Sequence, residues 1–91
     1  MDFDWDAKKA ARNLKEHRIS FKEAATIFGD PLARTFDDPD HSLEEQRFIT
    51  IGVSGQGTLL IVAHSDRGDT TRIISARETT RGERKLYEEE I

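Results

Sequence analysis

The chain contains the segment Arg72-Ile73-Ile74-Ser75-Ala76-Arg77, which continues after Glu78 into Thr79-Thr80-Arg81-Gly82-Glu83-Arg84-Lys85-Leu86-Tyr87. The first part alternates in the manner of a pleated strand with a guanidinium near each end. Arg72 and Arg77 are an odd number of residues apart, so a regular strand would present them on opposite faces. Thr80 and Glu83 have the spacing of a capping box, which predicts a helix from about Arg81 to Glu90.

This strand-to-helix junction is basic within an acidic chain. Residues 67–85 hold six Lys and Arg against three Asp and Glu, whereas the whole chain of 91 residues carries a net charge of −4. A guanidinium donates two parallel hydrogen bonds to phosphate oxygens, which a Lys ammonium does not. The junction therefore indicates recognition or cleavage of a phosphodiester.

Outward from the junction, the pattern predicts an α+β fold with the order β-α-α-β-β-β-β-α. Asp6, Ser20 and Thr80 are placed as N-caps of three helices, and Gly29-Asp30-Pro31 ends the second. Residues 48–53, 59–63 and 72–77 read as strands joined by short turns, with residues 65–69 as the last of these turns. We expect an antiparallel sheet of about four strands with helices on one side, the strand at 59–63 in its centre, and residues 1–91 as a single domain.

Several classes of protein are disfavoured. The chain has no Cys, which removes disulfides, thiolate catalysis and Cys-type zinc sites. No apolar run is long enough to span a membrane, and the first residues lack the features of a signal peptide, so we predict a cytoplasmic protein. The loop that contains Asp37, Asp38, Asp40 and His41 lacks the Gly and Glu of a calcium loop, so we predict a solvated turn and neither metal nor cofactor.

The sequence resembles the BrnT-type toxins over nearly its whole length. The matching residues of the first half are Trp5-Asp6, Lys8, Asn13, Lys15, His17, Phe21, Glu23-Ala24, Phe28 and Asp30-Pro31. Those of the second half are Glu45, Arg47, Ile51-Gly52, Leu60, Val62, Arg72 to Arg77, Thr80, Glu83-Arg84 and Tyr87. The chain departs from the pattern at Arg18, where a Gly often follows the His.

The resemblance implies a RelE-like fold and a ribonuclease that stops translation. It also implies a cognate, DNA-binding antitoxin similar to BrnA, which blocks the toxin in a toxin–antitoxin hetero-oligomer and represses the operon with it. The acidic net charge of the chain opposes tight nonspecific binding of RNA.

Metal-free cleavage of RNA requires deprotonation of the ribose 2′-hydroxyl, protonation of the leaving oxygen and stabilisation of charge on the phosphate. Arg47, Arg72 and Arg77 are the candidates for charge stabilisation. Arg81 and Arg84 lie nearby in sequence and are candidates for RNA binding. For each arginine, the alternative is an ordinary solvated or ion-paired surface group.

Three further residues have both a catalytic and a structural interpretation. His64 suits acid–base chemistry at neutral pH, or is a strand-end histidine bonded to a neighbouring carboxylate. Glu83 is a candidate general base, although its place in the capping box already accounts for it. Tyr87 either contacts a base or phosphate or anchors the last helix, and we favour the anchor.

Lys15 and His17 are RNA-binding candidates through the resemblance. His17 also has a structural explanation, as a cation near a helix C-terminus.

Two functional hypotheses from different classes follow. The first is a ribonuclease toxin of a type II toxin–antitoxin pair. The second is an interaction module without enzymatic activity, whose basic junction docks an acidic segment of a partner. Direct DNA binding by this chain is disfavoured, since its net charge is negative and no recognition helix is visible.

Overall fold

A computed structural model describes residues 1–38 and 46–89. The order of its elements is the predicted one, with a 3₁₀ turn added at Thr26–Gly29 after the second helix. The strands and helices are β1 (Asp2–Trp5), α1 (Ala7–His17), α2 (Phe21–Ala25), β2 (Arg34–Asp37), β3 (Arg47–Val53), β4 (Leu59–Arg67), β5 (Thr70–Glu78) and α3 (Arg81–Glu88).

The five strands form one mixed sheet in the order β1-β5-β4-β3-β2. The α+β class and the central position of β4 are confirmed, but the expected four-stranded antiparallel sheet lacks one strand. β1 pairs in parallel with β5, with Asp4 opposite Arg72. A parallel pair needs a long crossover connection, so this partnership leaves no local signal in the sequence.

The main core lies on one face of the sheet, which we call the helix face. Phe21, Ala24 and Ile27 pack there against a layer of sheet residues, and all of these side chains are at most 2% exposed. The sheet residues of this core are Leu60, Val62, Ile73 and Ala76. Burying a side chain of this kind contributes roughly 1.5–3 kcal/mol, so this layer accounts for the attachment of α2 to the sheet.

β5 contains a β-bulge that the alternation in the sequence did not reveal. Ser75 pairs with Ala63 and Ile73 with the next residue, His64, so Ile74 is an extra residue without an opposite partner. The burial pattern agrees, since Ile73 and Ala76 are three residues apart and both lie in the core. The bulge therefore shifts the alternation of side chains by one residue, so that residues before and after Ile74 that are an odd number apart lie on the same face.

The expectation that Arg72 and Arg77 face opposite sides is therefore wrong. Arg72 pairs with Ser65 and Arg77 with Ile61, and these two partners are four residues apart on β4. Both arginines consequently lie on the face opposite to the core. We call this surface the arginine face.

β4 is also longer than predicted, since it continues to Arg67 in place of turning at Ser65. The connection to β5 is a two-residue turn in which Gly68 has a φ of +62°. A positive φ at the first central position is characteristic of the type II′ hairpin turn. The extended β4 places His64 and Ser65 inside the sheet.

Asn13 attaches α1 to the edge of β5 beyond the end of β1. Its side-chain amide donates to the carbonyls of Ala76 (2.8 Å) and Ile19 (2.9 Å), and its oxygen accepts from the backbone N–H of Ala76 (3.1 Å). Asn13 is 6% exposed, and these bonds satisfy backbone groups that no strand covers. The amide thus takes the place of a neighbouring strand at this position.

The predicted helix caps are confirmed. Asp6 and Ser20 each accept a hydrogen bond from the backbone N–H three residues on, and Thr80 and Glu83 form a complete capping box. The turn after α1 is unusual because Arg18 adopts the left-handed conformation with a φ of 62°. Glycine takes this conformation without the steric penalty of a Cβ atom.

Replacing Arg18 by Gly should therefore stabilise the protein, by about 1 kcal/mol, because it relieves the left-handed strain. The free energy of unfolding in urea measures this change. Arg18→Ala is the control, since it removes the same charge but keeps a Cβ atom at positive φ. Equal stability of the two variants would contradict the explanation.

Replacing Asn13 by Ala should destabilise the protein by about 3 kcal/mol, because it leaves three buried backbone groups without partners. Thermal and urea unfolding measure the loss. Lys15→Ala on the exposed side of the same helix should change stability by less than about 0.5 kcal/mol. A comparable effect of both substitutions would refute the role assigned to the amide.

Candidate functional site

The arginine face carries two rows of residues that begin and end with charged side chains. The β-sheet register places Arg34, Ile51, Ile61 and Arg77 opposite one another in one row. Four residues along β4, it places Arg47, Ser65, Arg72 and Asp4 in a second row. The rows lie about 13 Å apart, given a rise of about 3.3 Å per residue.

The first row contacts α3. The expectation that all helices pack on one side of the sheet is therefore wrong. Arg77 contacts Glu83 near the start of α3, and Arg34 donates to the carbonyl oxygen of Leu86 near its end (2.6 Å). Ile51, between these arginines, is 1% exposed although it lies opposite to the main core. α3 therefore lies on the arginine face and covers its first row.

Arg77 and Glu83 form a bidentate pair with both N···O distances at 2.8 Å. The Glu83 carboxylate also accepts the backbone N–H of Thr80 (2.9 Å). The hydrogen bonds from Arg77 are the main reason that the pKa of Glu83 falls to about 2, and the same contact raises the pKa of Arg77. A carboxylate that holds its proton so weakly is a poor base at neutral pH, so the geometry favours the cap over catalysis for Glu83.

Tyr87 anchors the C-terminal end of α3 to the rest of the protein. Its hydroxyl donates to the Asp30 carboxylate (2.6 Å), which also accepts from the backbone N–H groups of Val53 (2.8 Å) and Leu32 (2.9 Å). The bond to Asp30, together with burial, raises the pKa of Tyr87 to about 12. Burial acts to raise the pKa of Asp30, but the hydrogen bonds from Tyr87, Val53 and Leu32 lower it overall. The geometry favours the anchoring interpretation of Tyr87.

The second row remains outside α3. Arg47 and Arg72 lie on either side of Ser65, with strands spaced about 4.8 Å apart, so their side chains can reach one common ligand. Among the residues that the structure describes, Arg47 has no ion pair or side-chain hydrogen bond. Arg72 lies 3.3 Å from an Asp4 carboxylate oxygen in a half-exposed pair. Such exposed pairs contribute about 0–1 kcal/mol, so a phosphate can replace Asp4 as the partner of Arg72.

Ser65 adds an uncommitted hydroxyl to this row. The residue is fully buried, and its Oγ has no hydrogen-bond partner within the described part of the chain. A buried hydroxyl without a partner carries a desolvation cost, but Ser65 is as fully buried as the other core residues, so a bound phosphate does not reach its Oγ directly. No motif in the sequence distinguished Ser65, since its position depends on the pairing of β3, β4 and β5.

His64 lies on the helix face and does not share a surface with Arg47 or Arg72. It is 2% exposed, its ring packs edge-on against Phe28 (5.0 Å between centroids) and it stacks on Phe48 (5.8 Å). Burial lowers the pKa of His64, while the Asp66 carboxylate 3.1 Å from Nδ1 opposes that shift. The structural alternative for His64, a histidine bonded to a neighbouring carboxylate, matches this geometry.

The contacts of His64 have the connectivity of a hydrolytic triad but not its accessibility. Asp66 accepts only, so Nδ1 carries the proton of the neutral ring and Nε2 accepts from the Thr50 hydroxyl (2.7 Å). Thr50 in turn accepts from Thr35 (2.8 Å). Because Thr50 is fully buried, no substrate reaches its oxygen, and this chain of bonds ties β2, β3 and β4 together.

The predicted RNA-binding residues occupy two separate places. Lys15 and His17 are exposed in the last turn of α1, where His17 Nε2 lies 4.0 Å from Glu16. Arg81 and Arg84 are exposed in the first half of α3. The structure joins neither pair to the second row by a direct contact within the described residues.

No group of three or more His, Asp or Glu side chains within residues 1–38 and 46–89 is arranged to hold a metal ion. Of the predicted acidic loop, Asp40 and His41 lie outside the described residues. In the same part of the chain, no helix combines the length and apolar character needed to cross a membrane.

The environment of His64 predicts a pH dependence. A pKa below the ordinary 6.5 means that the unfolded chain takes up this proton first, so stability present above pH 6.5 is lost as pH falls through the folded value. We expect NMR titration to give a pKa below 6.5 for His64. Asp66→Asn should lower it further because the opposing carboxylate is gone. A pKa at or above 6.5 in either protein would contradict the burial argument.

Comparisons with known proteins give the family. The family model described as "Ribonuclease toxin, BrnT, of type II toxin-antitoxin system" matches residues 5–83. The crystal structure of the Brucella abortus ribonuclease toxin BrnT superposes with a TM-score of 0.67 at 20% identity, covering 89% of this chain and 99% of that one. No curated protein matched the sequence. The fold agrees with that of a solved BrnT structure, and the family model spans most of the chain, which therefore belongs to the BrnT family of ribonuclease toxins of type II toxin–antitoxin systems.

Proposed function

We propose that this chain cleaves RNA at the second row of the arginine face, with Arg47 and Arg72 as the residues that hold the scissile phosphate. The observation that carries the proposal is the placement of these two arginines on either side of Ser65, outside the part of the sheet that α3 covers. Membership of a ribonuclease toxin family supports RNA as the substrate.

The proposed reaction is an internal displacement. The ribose 2′-oxygen attacks the adjacent phosphorus, the bond from phosphorus to the 5′-oxygen breaks, and the 2′-proton is lost as the leaving oxygen gains one. Two guanidinium groups stabilise the negative charge that develops on the phosphoryl oxygens. The low local dielectric beside buried Ser65 strengthens this interaction.

Proton transfer has no evident partner among the predicted residues. His64 is buried on the other face, Glu83 is paired with Arg77, and Tyr87 is bonded to Asp30. We therefore infer that water carries the protons and that the enzyme works by orientation and charge stabilisation. This mechanism requires no metal ion.

The type II toxin–antitoxin family implies an antitoxin partner. We propose that cleavage of RNA arrests translation in the cytoplasm and that a BrnA-like antitoxin neutralises the toxin by covering the second row. Repression of the operon would then depend on DNA binding by the antitoxin, since this chain carries a net charge of −4.

The alternative is an interaction module without enzymatic activity, in which Arg47 and Arg72 bind an acidic segment of the antitoxin. The same two arginines suit carboxylates as well as phosphates. The alternatives differ in a simple respect: expression of an enzyme without its antitoxin arrests growth, whereas expression of a binding module does not.

The decisive test is cleavage of a labelled RNA by the purified chain in the presence of EDTA. We expect Arg47→Ala and Arg72→Ala each to lower kcat by about 100-fold, which is the usual loss when one donor to a developing charge is removed. Lys22→Gln on α2 removes an exposed positive charge away from the row and should leave the rate unchanged.

Full activity of both arginine variants would disprove the assignment of the site. Loss of cleavage in EDTA would disprove the metal-free mechanism alone. Absence of cleavage by the folded wild-type chain, together with normal growth when it is expressed, would favour the interaction module.

A further inference from the structure

The positive charge of this chain is concentrated on α1. Residues 7–18 carry five Lys and Arg and one Glu, a net charge of +4. The other residues carry nine Lys and Arg against seventeen Asp and Glu, a net charge of −8. The basic residues of this segment are Lys8, Lys9, Arg12, Lys15 and Arg18. A cationic helix in an otherwise anionic protein confines any attraction of a polyanion to one region.

These cations are exposed and available. None of the five has an ion-pair partner among the residues that the structure describes. Lys8, Arg12 and Lys15 follow one another at intervals of four and three, which aligns them along one side of the helix. Lys8 and Lys15 lie opposite to Asn13, which faces the sheet, whereas Lys9 and Arg12 lie nearer to Asn13 at the sheet edge.

A groove runs between this helix and the free edge of β5. β1 ends at Trp5, opposite Ile73, so from Ile74 onward no strand of the described residues pairs with β5 on that side. The resulting cavity has a volume of about 230 Å³ and is lined by Lys9, Arg12, Asn13, Glu16, His17, Ile74 and Ser75. We call it the edge groove.

The edge groove leads to the arginine face. Ser75 lines the groove, is exposed, and lies opposite Ala63 on the arginine face. Along β5 it stands between Arg72 and Arg77, which share that face because of the bulge. A flexible chain that crosses the sheet edge at Ser75 would thus contact the second row on one side and α1 on the other.

We propose that the edge groove binds the backbone of an RNA strand whose scissile phosphate lies at Arg47 and Arg72. This inference rests on the proposed function, since it assumes that RNA is the substrate. Lys9 and Arg12 neutralise phosphates outside the reacting one, so the groove contributes affinity and directs the strand.

The lining of the groove favours RNA over an acidic protein segment. Protein interfaces bury a core rich in aromatic and apolar side chains, whereas Ile74 is the only large apolar side chain among the described residues that line this cavity. Nucleic-acid backbones are bound chiefly by Lys and Arg together with polar groups. Lys9, Arg12, Asn13, His17 and Ser75 supply this chemistry, while Glu16 opposes it.

The test measures binding of a 12-nucleotide 2′-O-methyl RNA by fluorescence anisotropy over a range of KCl concentrations. This RNA lacks the nucleophilic hydroxyl, so binding is measured apart from cleavage. For the double variant Lys9→Gln/Arg12→Gln, we expect weaker binding and a slope of log affinity against log salt that is smaller by about 1.4, for two lost single-strand phosphate contacts. Glu16→Gln should bind more tightly than wild type.

Lys22→Glu is the matched control, because it changes the net charge by the same two units but lies on α2 and does not line the groove. It should keep the wild-type slope. Circular dichroism of each variant establishes that the total helix content of the protein is unchanged. An unchanged slope in the double variant, an equal loss in Lys22→Glu, or no RNA binding by wild type would overturn the inference.

Two results separate this inference from the function on which it rests. If wild type cleaves RNA and the double variant binds the 2′-O-methyl strand normally, the groove assignment fails and the ribonuclease stands. If wild type binds through the groove but never cleaves natural RNA, the ribonuclease fails and the groove assignment stands. If the double variant no longer binds poly-L-glutamate but keeps the RNA affinity of wild type, the groove binds an acidic protein segment and the inference is overturned.

Discussion

The extra residue in β5 determines which side chains can act together in this protein. Without Ile74 as a bulge, Arg72 would point into the helix face, where Ile73 now fills the core. A guanidinium in that position would be buried beside apolar side chains at a cost of several kcal/mol. The bulge lets an apolar residue enter the core on either side of it, Ile73 and Ala76, and it leaves Arg72 and Arg77 on the same outer face. Everything proposed for the arginine face depends on this shift of register.

The same face shows how one residue type serves two purposes. Arg34 and Arg77 hold α3 through hydrogen bonds to Leu86 and Glu83, so their guanidinium groups are already satisfied. Arg47 and Arg72 lie in the other row. Among the described residues, the side chain of Arg47 has no partner, and Arg72 has only the exposed and weak pair with Asp4. The difference between the arginines that hold α3 and those proposed to bind phosphate therefore comes from whether a helix covers the row. The bond from Tyr87 to Asp30 keeps α3 over the first row and leaves the second one accessible.

The order of the elements, the helix caps and the central strand could be predicted because each depends on residues close together in sequence. Thr80 and Glu83 are three residues apart, and their capping box is present as expected. The parallel pairing of β1 with β5 and the bonds of Asn13 to Ala76 could not be predicted, since they join residues more than sixty positions apart. The bulge could not be predicted for a different reason, because the residues of segment 72–77 alternate well enough to suit a regular strand.

The candidate site was predicted in part, for the same physical reason. Arg47 and Arg72 were identified by residue type, but their common row with Ser65 required the pairing of three strands. His64 was an acid–base candidate because its ordinary pKa suits neutral pH, and only the fold shows that it is buried between Phe28 and Phe48. The positive charge of α1 is visible in the sequence, but the net charge of −4 for the whole chain conceals it.

The separation of charge between α1 and the rest of the chain is consistent with a selective rather than a strong RNA-binding protein. A net charge of −8 outside residues 7–18 repels a polyanion from most of the surface. Under the two proposals above, phosphates would then bind only along the path formed by the edge groove and the second row. Affinity from few contacts is modest and depends on salt, whereas the orientation of the scissile phosphate depends on rigid strands. Under the proposed mechanism, weak binding along the groove would not limit catalysis, because stabilisation of the transition state by Arg47 and Arg72 would set the rate.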